Sequence, residues 1–156
     1  MKYIETIFEI PEIQKIISEK GRINIDIDDF SVINTVFENG EVVIMAGAES
    51  KGEGRVEKAI STIVTPQFQS LINSAKNNVT YLRYSENHPL HIDELDALHT
   101  LLCMFNSECS VIWGIGTDNS LGENVKVVIV MGGISNEDAE KVKDEKGVNV
   151  YRKKVI

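Results

Sequence analysis

Four short apolar runs, spaced along the chain between helix-forming stretches, constrain the fold most strongly. "EVVIMAGAE" (41–49) is too apolar and too short for anything other than a buried strand. In "NVTYLRYS" (78–85), Val79, Tyr81 and Arg83 alternate with Thr80, Leu82 and Tyr84, as the two faces of a strand do. Two further runs, "CSVIWGIGTD" (109–118) and "NVKVVIVMGG" (124–133), follow later in the chain. The sequence therefore predicts four strands, and "NSLGE" between the last two is a turn-rich connection of hairpin length.

Amphipathic helices are predicted around these runs. Residues 11–20 begin with a proline suited to a first helical turn and end before a glycine. "RVEKAISTIV" (55–64) is a helix halted by Pro66. A second principal helix is expected over His91–Asn106, and its apolar side should carry Leu95, Leu98, Leu102 and Phe105.

The order of these elements is strand, helix, strand, helix, strand, strand, which predicts the α+β class. We expect a two-layer sandwich in which a mixed four-stranded sheet carries two principal helices on one face. A chain of 156 residues, of which 42% are hydrophobic, suits one domain with a real core.

Charge is unevenly distributed along the chain, whose formal net charge is −8. Residues 1–140 contain 22 acidic and 10 basic side chains, whereas residues 141–156 contain 2 acidic and 6 basic ones. The acidic body repels nucleic acid. The basic end, "YRKKVI", could contact an acidic partner or an anionic membrane surface, or simply stay solvated.

Cysteine usage and the lack of long apolar runs predict a cytoplasmic protein. Cys103 and Cys109 suit a reducing compartment, and no run approaches the roughly 18 to 20 apolar residues of a membrane span. Residues 1–10 do not resemble a targeting segment, because two glutamates interrupt them. We expect neither a cofactor nor a metal site, since the CxxC and HExxH patterns are missing.

The stretch "GRINIDIDDF" (21–30), here called the acidic loop, places one asparagine and three aspartates before a short helix. From the residues alone, Asp28 or Asp29 caps that helix and Asp26 is solvated. One face of the helix should carry Val32, Ile33 and Val36.

Several stretches resemble, in the right order, the C-terminal domain of FtsZ, the bacterial relative of tubulin. The acidic loop resembles the family's synergy loop, and Asn24, Asp26 and Asp29 fall on its N-x-D-x-x-D pattern. "AGAESKGEGRVEKAI" resembles the family's turn from a strand into a helix, and "VIWGIGTDNSLGENVKVVIVMGG" resembles its closing β-hairpin. The resemblance extends from about Ile13 to Ile134. Residues 1–134 should therefore form the FtsZ-like domain, and residues 135–156 a charged tail that is basic at its end.

The resemblance implies that the chain carries half of an active site. In FtsZ filaments this loop enters the nucleotide site of the next subunit and helps to position the attacking water. Asn24, Asp26 and Asp29 are therefore candidates for catalysis in trans. The expected partner-binding residues are Arg22, Asn24, Asp26, Asp28 and Asp29. Ile27 and Asp28 depart from the family pattern, which usually has a phenylalanine and a small residue there.

Three functions are compatible with these features. The chain has no GTP-binding domain or glycine-rich phosphate loop, so it could bind an FtsZ or tubulin-like GTPase and cap or modulate its filaments in cell division, without being an enzyme itself. It could instead complement a separate GTP-binding domain as half of a split GTPase. Thirdly, it could use the fold alone in an unrelated binding or structural role, as a small self-associating oligomer. The fold cannot choose between them.

Overall fold

The computed structural model describes residues 2–19 and 21–155, which form one mixed sheet covered by helices. The strands are β1 (Lys2–Ile4), β2 (Val42–Ser50), β3 (Asn77–Tyr84), β4 (Ser110–Thr117), β5 (Val125–Ile134) and β6 (Val148–Lys153). The α-helices are α1 (Pro11–Ser18), α2 (Ile27–Glu38), α3 (Arg55–Ile63), α4 (Pro66–Ser74), α5 (Leu95–Leu102) and α6 (Asn136–Glu140). Short 3₁₀ turns occur at Ile7–Glu9, Ile92–Glu94 and Asn119–Leu121. Within this part of the chain, no helix combines the length and apolar character needed to cross a membrane.

The α+β class and the mixed sheet are confirmed, but the sheet has six strands instead of the predicted four. The strand order is β1-β6-β2-β5-β3-β4. β1 pairs with β6 in parallel, and so does β3 with β4, while the other neighbours are antiparallel. The two additional strands come from the ends of the chain, where polar residues interrupt the apolar pattern.

β4 and β5 do not form the predicted hairpin, because β3 lies between them. β4 runs parallel to β3 and β5 runs antiparallel to it, so the connection over residues 118–124 crosses the end of β3. There the backbone N–H of Asp118 donates to the carbonyl of Tyr84 at 2.9 Å. A connection of hairpin length thus joins two strands that have a third strand between them, instead of two adjacent strands.

Helices cover both faces of the sheet. Successive side chains of a strand point to opposite faces, and in β5 the side chains on both faces are apolar. Val127 and Ile129 of β5 belong to one apolar cluster with α3, α4, α5 and α6, whereas Val128 and Val130 belong to another with α1 and α2. The two helices predicted to share a face, α3 and α5, do so. α1 and α2 add a third layer to the two that were predicted.

The residues expected to form a charged tail contribute to the sheet. Residues 135–155 contain α6 and β6, and β6 lies between β1 and β2. Val150 and Tyr151 of β6 are buried. Ile156, the last residue of the expected tail, and Lys20, the last residue of the first predicted helix, lie outside the described residues.

α2 presents only part of the predicted face to the sheet: Val36 is half-buried there, but Val32 is not on that side. Phe30, Ile33 and Phe37 are buried, whereas Val32 is 52% exposed. The two phenylalanine rings bury more apolar area than the valines can, so they decide which side of the helix faces inward.

α5 is shorter than the predicted His91–Asn106 helix, because a 3₁₀ turn precedes it. Leu98, Leu101 and Phe105 are buried, whereas Leu102 is only half-buried. The spacing of the buried residues is i, i+3 and i+7, so the inward stripe passes through Leu101 instead of the predicted Leu102.

Candidate functional site

The acidic loop lies against β4, which is one of the two edge strands of the sheet. Ile23 forms an antiparallel bridge with Ile115: the Ile23 N–H donates to the Ile115 carbonyl at 3.2 Å, and the Ile115 N–H donates to the Ile23 carbonyl at 3.0 Å. Ile25 is buried in the same apolar cluster as Tyr81. These contacts fix the course of a segment that has little regular secondary structure of its own.

The close approach of the loop and the strand depends on glycine. A Cβ atom on Gly114 would lie 2.7 Å from the carbonyl oxygen of Ile23 and 2.7 Å from Cγ1 of Ile25. A Cβ atom on Gly21 would lie 2.3 Å from the carbonyl oxygen of Ile115. These separations leave no room for a side chain, so glycine at both positions allows the backbones to meet.

Asp26 is the N-cap of α2. Its Oδ1 accepts hydrogen bonds from the backbone N–H of Asp28 at 3.0 Å and of Asp29 at 3.2 Å, and Oδ2 of Asp29 accepts one from the N–H of Asp26 at 2.9 Å. This capping box satisfies N–H groups that have no partner within the helix. The predicted cap at Asp28 or Asp29 is therefore wrong, because the helix begins at Ile27. Asp26 is exposed, as predicted, and it is the residue that caps the helix.

The other predicted partner-binding residues lie in the same loop, but they differ in whether their side chains form hydrogen bonds. Oδ1 of Asn24 accepts a hydrogen bond from the Gly21 N–H at 2.7 Å, which closes a tight turn. The side chains of Arg22 and Asp28 are exposed, and neither forms an ion pair or hydrogen bond within residues 2–19 and 21–155. Asp28 therefore presents the most available carboxylate, whereas Asp26 and Asp29 also hold the backbone.

Two large apolar side chains are exposed, one on the loop and one on the strand that the loop contacts. Ile27, the first residue of α2, is 53% exposed, and Trp113, next to the Gly114 that contacts the loop, is 37% exposed. Apolar area beside charged groups is typical of protein contact surfaces, and tryptophan is enriched among residues that dominate binding energy. Trp113 was not predicted as a site residue. The available signal was that the chain's single tryptophan lies on a strand that passes the loop.

A buried charge cluster holds α1, the helix that leads into the loop, on the sheet. The side chain of Arg83 in β3 is fully buried; its Nε donates to both carboxylate oxygens of Glu19 at 3.0 Å, and its Nη1 donates to Glu12. Lys126 Nζ lies 3.8 Å from Oε2 of the same Glu12. The cluster was not predicted, because its carboxylates are 64 and 71 residues from Arg83 in sequence.

The chemistry available at the loop is negative charge, one amide and exposed apolar area on a fixed backbone. Among the described residues, no three or more histidine, cysteine, aspartate or glutamate side chains are grouped to hold a metal ion. The carboxylates can accept hydrogen bonds from water or from a partner, and they can face a cation that a partner carries.

Comparisons with curated proteins find FtsZ relatives, although none of the protein-family models compared with the chain matches it. The cell division protein FtsZ of Porphyromonas gingivalis is 29% identical over 123 residues, which cover 78% of this chain and 26% of that protein. Cell division protein FtsZ 1 of Thermococcus kodakarensis is 27% identical over 126 residues, which cover 80% of this chain and 32% of that protein.

Solved structures share the fold. An empty FtsZ dimer from Methanocaldococcus jannaschii matches with a TM-score of 0.65 and 23% identity, over 92% of this chain and 40% of that one. TubZ of Bacillus thuringiensis serovar israelensis, solved as GDP-form protofilaments, matches with a TM-score of 0.58 and 11% identity, over 81% of this chain and 35% of that one. The fold is therefore that of the FtsZ C-terminal domain.

Fold and sequence relatives together confirm the resemblance that the acidic loop first indicated. The chain is an FtsZ C-terminal-domain-like protein. It spans 26 to 33% of the length of the curated relatives that it matches, so the match concerns one part of those proteins.

Proposed function

We propose that this chain is a non-catalytic FtsZ-like protein that binds the nucleotide-carrying face of an FtsZ or tubulin-like GTPase and modulates or caps its filaments in cell division. The observation that best supports the proposal is the preformed acidic loop. β4 and the capping box hold its backbone, and Ile27 and Asp28 are exposed on it. The relatives named cell division protein FtsZ supply the choice of partner.

A preformed loop favours binding, because little conformational entropy is lost when it docks. Its carboxylates would face the phosphates of the partner's nucleotide, so Mg²⁺ must offset the repulsion at close range. Asp26 accepts both capping bonds through Oδ1, which leaves Oδ2 for water at the junction. Asp26 can therefore cap α2 and still help to orient an attacking water in trans.

The test uses purified FtsZ from the same organism, with assembly followed by light scattering and turnover by phosphate release. We expect substoichiometric amounts of the chain to change FtsZ assembly, because one blocked filament end affects many subunits. In the double variant Asp26→Asn with Asp29→Asn, each amide oxygen can still accept a capping bond, but both charges are lost, so turnover at the capped junction should fall. Asp144→Asn, at an exposed site after α6, is the matched control. The proposal fails if neither signal changes at equimolar concentration.

Nucleotide binding is tested separately. Because the 156 residues contain no glycine-rich phosphate loop, we expect the chain alone to bind GTP with Mg²⁺ no more tightly than about 1 mM, or about −4 kcal/mol. Isothermal titration calorimetry measures this affinity directly. Micromolar affinity would contradict the proposal that the partner, and not this chain, binds the nucleotide.

The capping box also favours a second candidate function, in which the loop is only a helix cap and the fold serves an unrelated binding or structural role. That candidate predicts no effect on FtsZ and self-association of the chain in sedimentation experiments. A split GTPase predicts instead that phosphate release appears only when the chain is mixed with a separate GTP-binding domain. A cytoplasmic location stays a prediction in all three cases.

A further inference from the structure

A groove runs along the junction of α3 and α5, on the sheet face opposite α1 and α2. Its volume is about 530 Å³. Its apolar floor is formed by Val56, Ile60, Ala97, Leu101 and Met104. Val56 and Leu101 are each 1% exposed, and the other three are half-buried. The apolar surface that stays accessible in the groove is therefore that of Ile60, Ala97 and Met104.

The rim of this groove is acidic. Glu57 of α3, Asp93 of the preceding 3₁₀ turn and Asp96 of α5 line it and are exposed. Within the described residues, none of these three carboxylates forms an ion pair, and no lysine, arginine or histidine lines the groove. Glu94 is the exception among the lining acids, because Arg55 binds it at 2.7 Å. Uncompensated carboxylates around an apolar floor attract cations and repel phosphates.

The dimensions of the groove suit a short helix. α3 and α5, which form its two sides, have 9 and 8 residues. At a rise of 1.5 Å per residue, each helix is about 12 to 14 Å long. Both helices follow strands that end at the same side of the sheet, since Ser50 and Tyr84 both pair with Val125. A third helix could lie across the junction of α3 and α5 for two to three turns.

We propose that this groove binds a cationic amphipathic helix of a partner protein. The partner's apolar side chains would contact the floor, and its lysines or arginines would face Glu57, Asp93 and Asp96. Helix-in-groove recognition of this kind uses anchors at i, i+3, i+4 and i+7. The net charge of −8 disfavours nucleic acid and anionic membranes as occupants. The proposal is independent of the acidic loop and its proposed partner.

The first experiment titrates the full chain into a fluorescein-labelled peptide of leucine and lysine whose leucines follow that spacing. The control peptide has the same composition, with its leucines spread around the helix. We expect the amphipathic peptide to bind at least about ten-fold more tightly in fluorescence anisotropy. Equal binding of the two peptides overturns the proposal, because it shows general electrostatic attraction.

The second experiment locates the binding with variants. Asp96→Lys reverses a rim charge and Ala97→Trp fills the floor, and we expect each to weaken binding at least about ten-fold. Asp144→Lys makes the same charge change at an exposed site after α6 and should stay within about two-fold. Circular dichroism melting checks that all three fold. Equal losses from Asp96→Lys and Asp144→Lys, or unchanged binding by Ala97→Trp, overturn the proposal.

The native chain provides a readout that needs no variant. Amide shifts in NMR spectra should change most around Ile60, Ala97 and Met104 when the amphipathic peptide is added. Shifts centred elsewhere overturn the proposal, and so does a native dimer that Ala97→Trp converts to a monomer, since a second copy would then occupy the groove. FtsZ assembly should respond to Asp96→Lys as to the native chain, so this inference and the proposed function fail separately.

Discussion

Glu19, the residue after α1, and Arg83 of β3 form an ion pair in which the Arg83 Nε lies 3.0 Å from each carboxylate oxygen. The side chain of Arg83 is 0% exposed and that of Glu19 is 15% exposed. A buried guanidinium is tolerated only when it is paired and hydrogen-bonded. The pair therefore fixes the end of α1 just before the acidic loop begins.

We predict that Glu19→Ala lowers the free energy of unfolding by about 3 kcal/mol, because it leaves a buried charge with one partner fewer. Adding Arg83→Met should recover part of this loss, since the poorly paired charge is then gone. Glu140→Ala is the control, because Glu140 pairs with Lys143 on the surface, with side chains 50% and 40% exposed. Urea denaturation measures the free energy of unfolding of the native chain, the two single variants and the double variant. Equal losses from Glu19→Ala and Glu140→Ala would contradict the prediction.

Gly116 leaves space for the hydroxyl group of Tyr81. A Cβ atom on Gly116 would lie 2.0 Å from that hydroxyl oxygen. Burial, and next the nearby Glu19 carboxylate, raise the pKa of Tyr81 above its usual range, so the hydroxyl stays protonated. It has no hydrogen-bond partner among the described residues.

Gly116→Ala should therefore lower the free energy of unfolding by about 1 to 3 kcal/mol through overpacking. Tyr81→Phe removes the closest atom and should restore part of the loss in the double variant. Gly47→Ala is the control, because its Cβ would meet nothing closer than 3.6 Å. Thermal and urea unfolding measure the difference, and a Gly116→Ala protein as stable as Gly47→Ala would show that β4 moves away at little cost.

The capping role of Asp26 can be separated from its charge. Asp26→Ala should lower the free energy of unfolding by about 1 kcal/mol, whereas Asp26→Asn should stay within about 0.5 kcal/mol, because asparagine caps helices equally well. Asp28→Ala is the control, since the Asp28 carboxylate accepts no capping bond in the described residues. Equal losses from the alanine and asparagine variants in urea unfolding would assign the effect to charge.

Most of the central sheet could be predicted from the sequence, because its strands are continuous apolar runs. The predicted strands at 41–49, 78–85 and 124–133 each differ from the observed strand by one residue at either end. The pairing could not be predicted, since β3 lies between β4 and β5 through contacts that no local pattern encodes. β6 was missed because "VNVYRK" mixes polar and apolar residues.

The acidic loop could be located in the sequence, but its internal contacts could not be predicted. The resemblance located the loop at residues 21–30. The cap was assigned to the wrong aspartate, because several aspartates within four residues can each begin a helix and only tertiary packing selects one. The exposed Trp113 and the Glu19–Arg83 pair depend on which strand passes the loop, which is a long-range property.

The observed face of α5 gives a prediction that the sequence alone would have reversed. Leu101 is 1% exposed and Leu102 is half-buried, so Leu101→Ala should lower the free energy of unfolding by about 2 to 5 kcal/mol. Leu102→Ala should cost clearly less, because it leaves a smaller cavity. Both variants have the same composition change, so each controls for the other in urea unfolding. An equal or larger loss from Leu102→Ala would mean that α5 is rotated about its axis.

Asp118 joins the connection after β4 to α1. Its Oδ1 accepts hydrogen bonds from the Ser120 hydroxyl at 2.6 Å and the Ser120 N–H at 3.0 Å, and its Oδ2 lies 2.9 Å from Lys15 Nζ. The Ser120 hydroxyl, and next Lys15, lower the pKa of Asp118 from 3.8 to about 2. A carboxylate whose pKa is lowered by folding stabilises the fold above its unfolded pKa, and this stabilisation is lost as pH falls through the folded value.

Asp118→Asn should therefore be less stable than the native chain at neutral pH, and the difference in unfolding free energy should shrink as pH falls from about 4 towards about 2. Urea unfolding at several pH values down to about 3 measures the two curves. Lys15→Ala should have a smaller effect, because the Lys15 side chain is 47% exposed and its attraction is screened by water. A native-to-variant difference that is the same at neutral pH and at about pH 3 would show that the Asp118 carboxylate is not held by these bonds in solution.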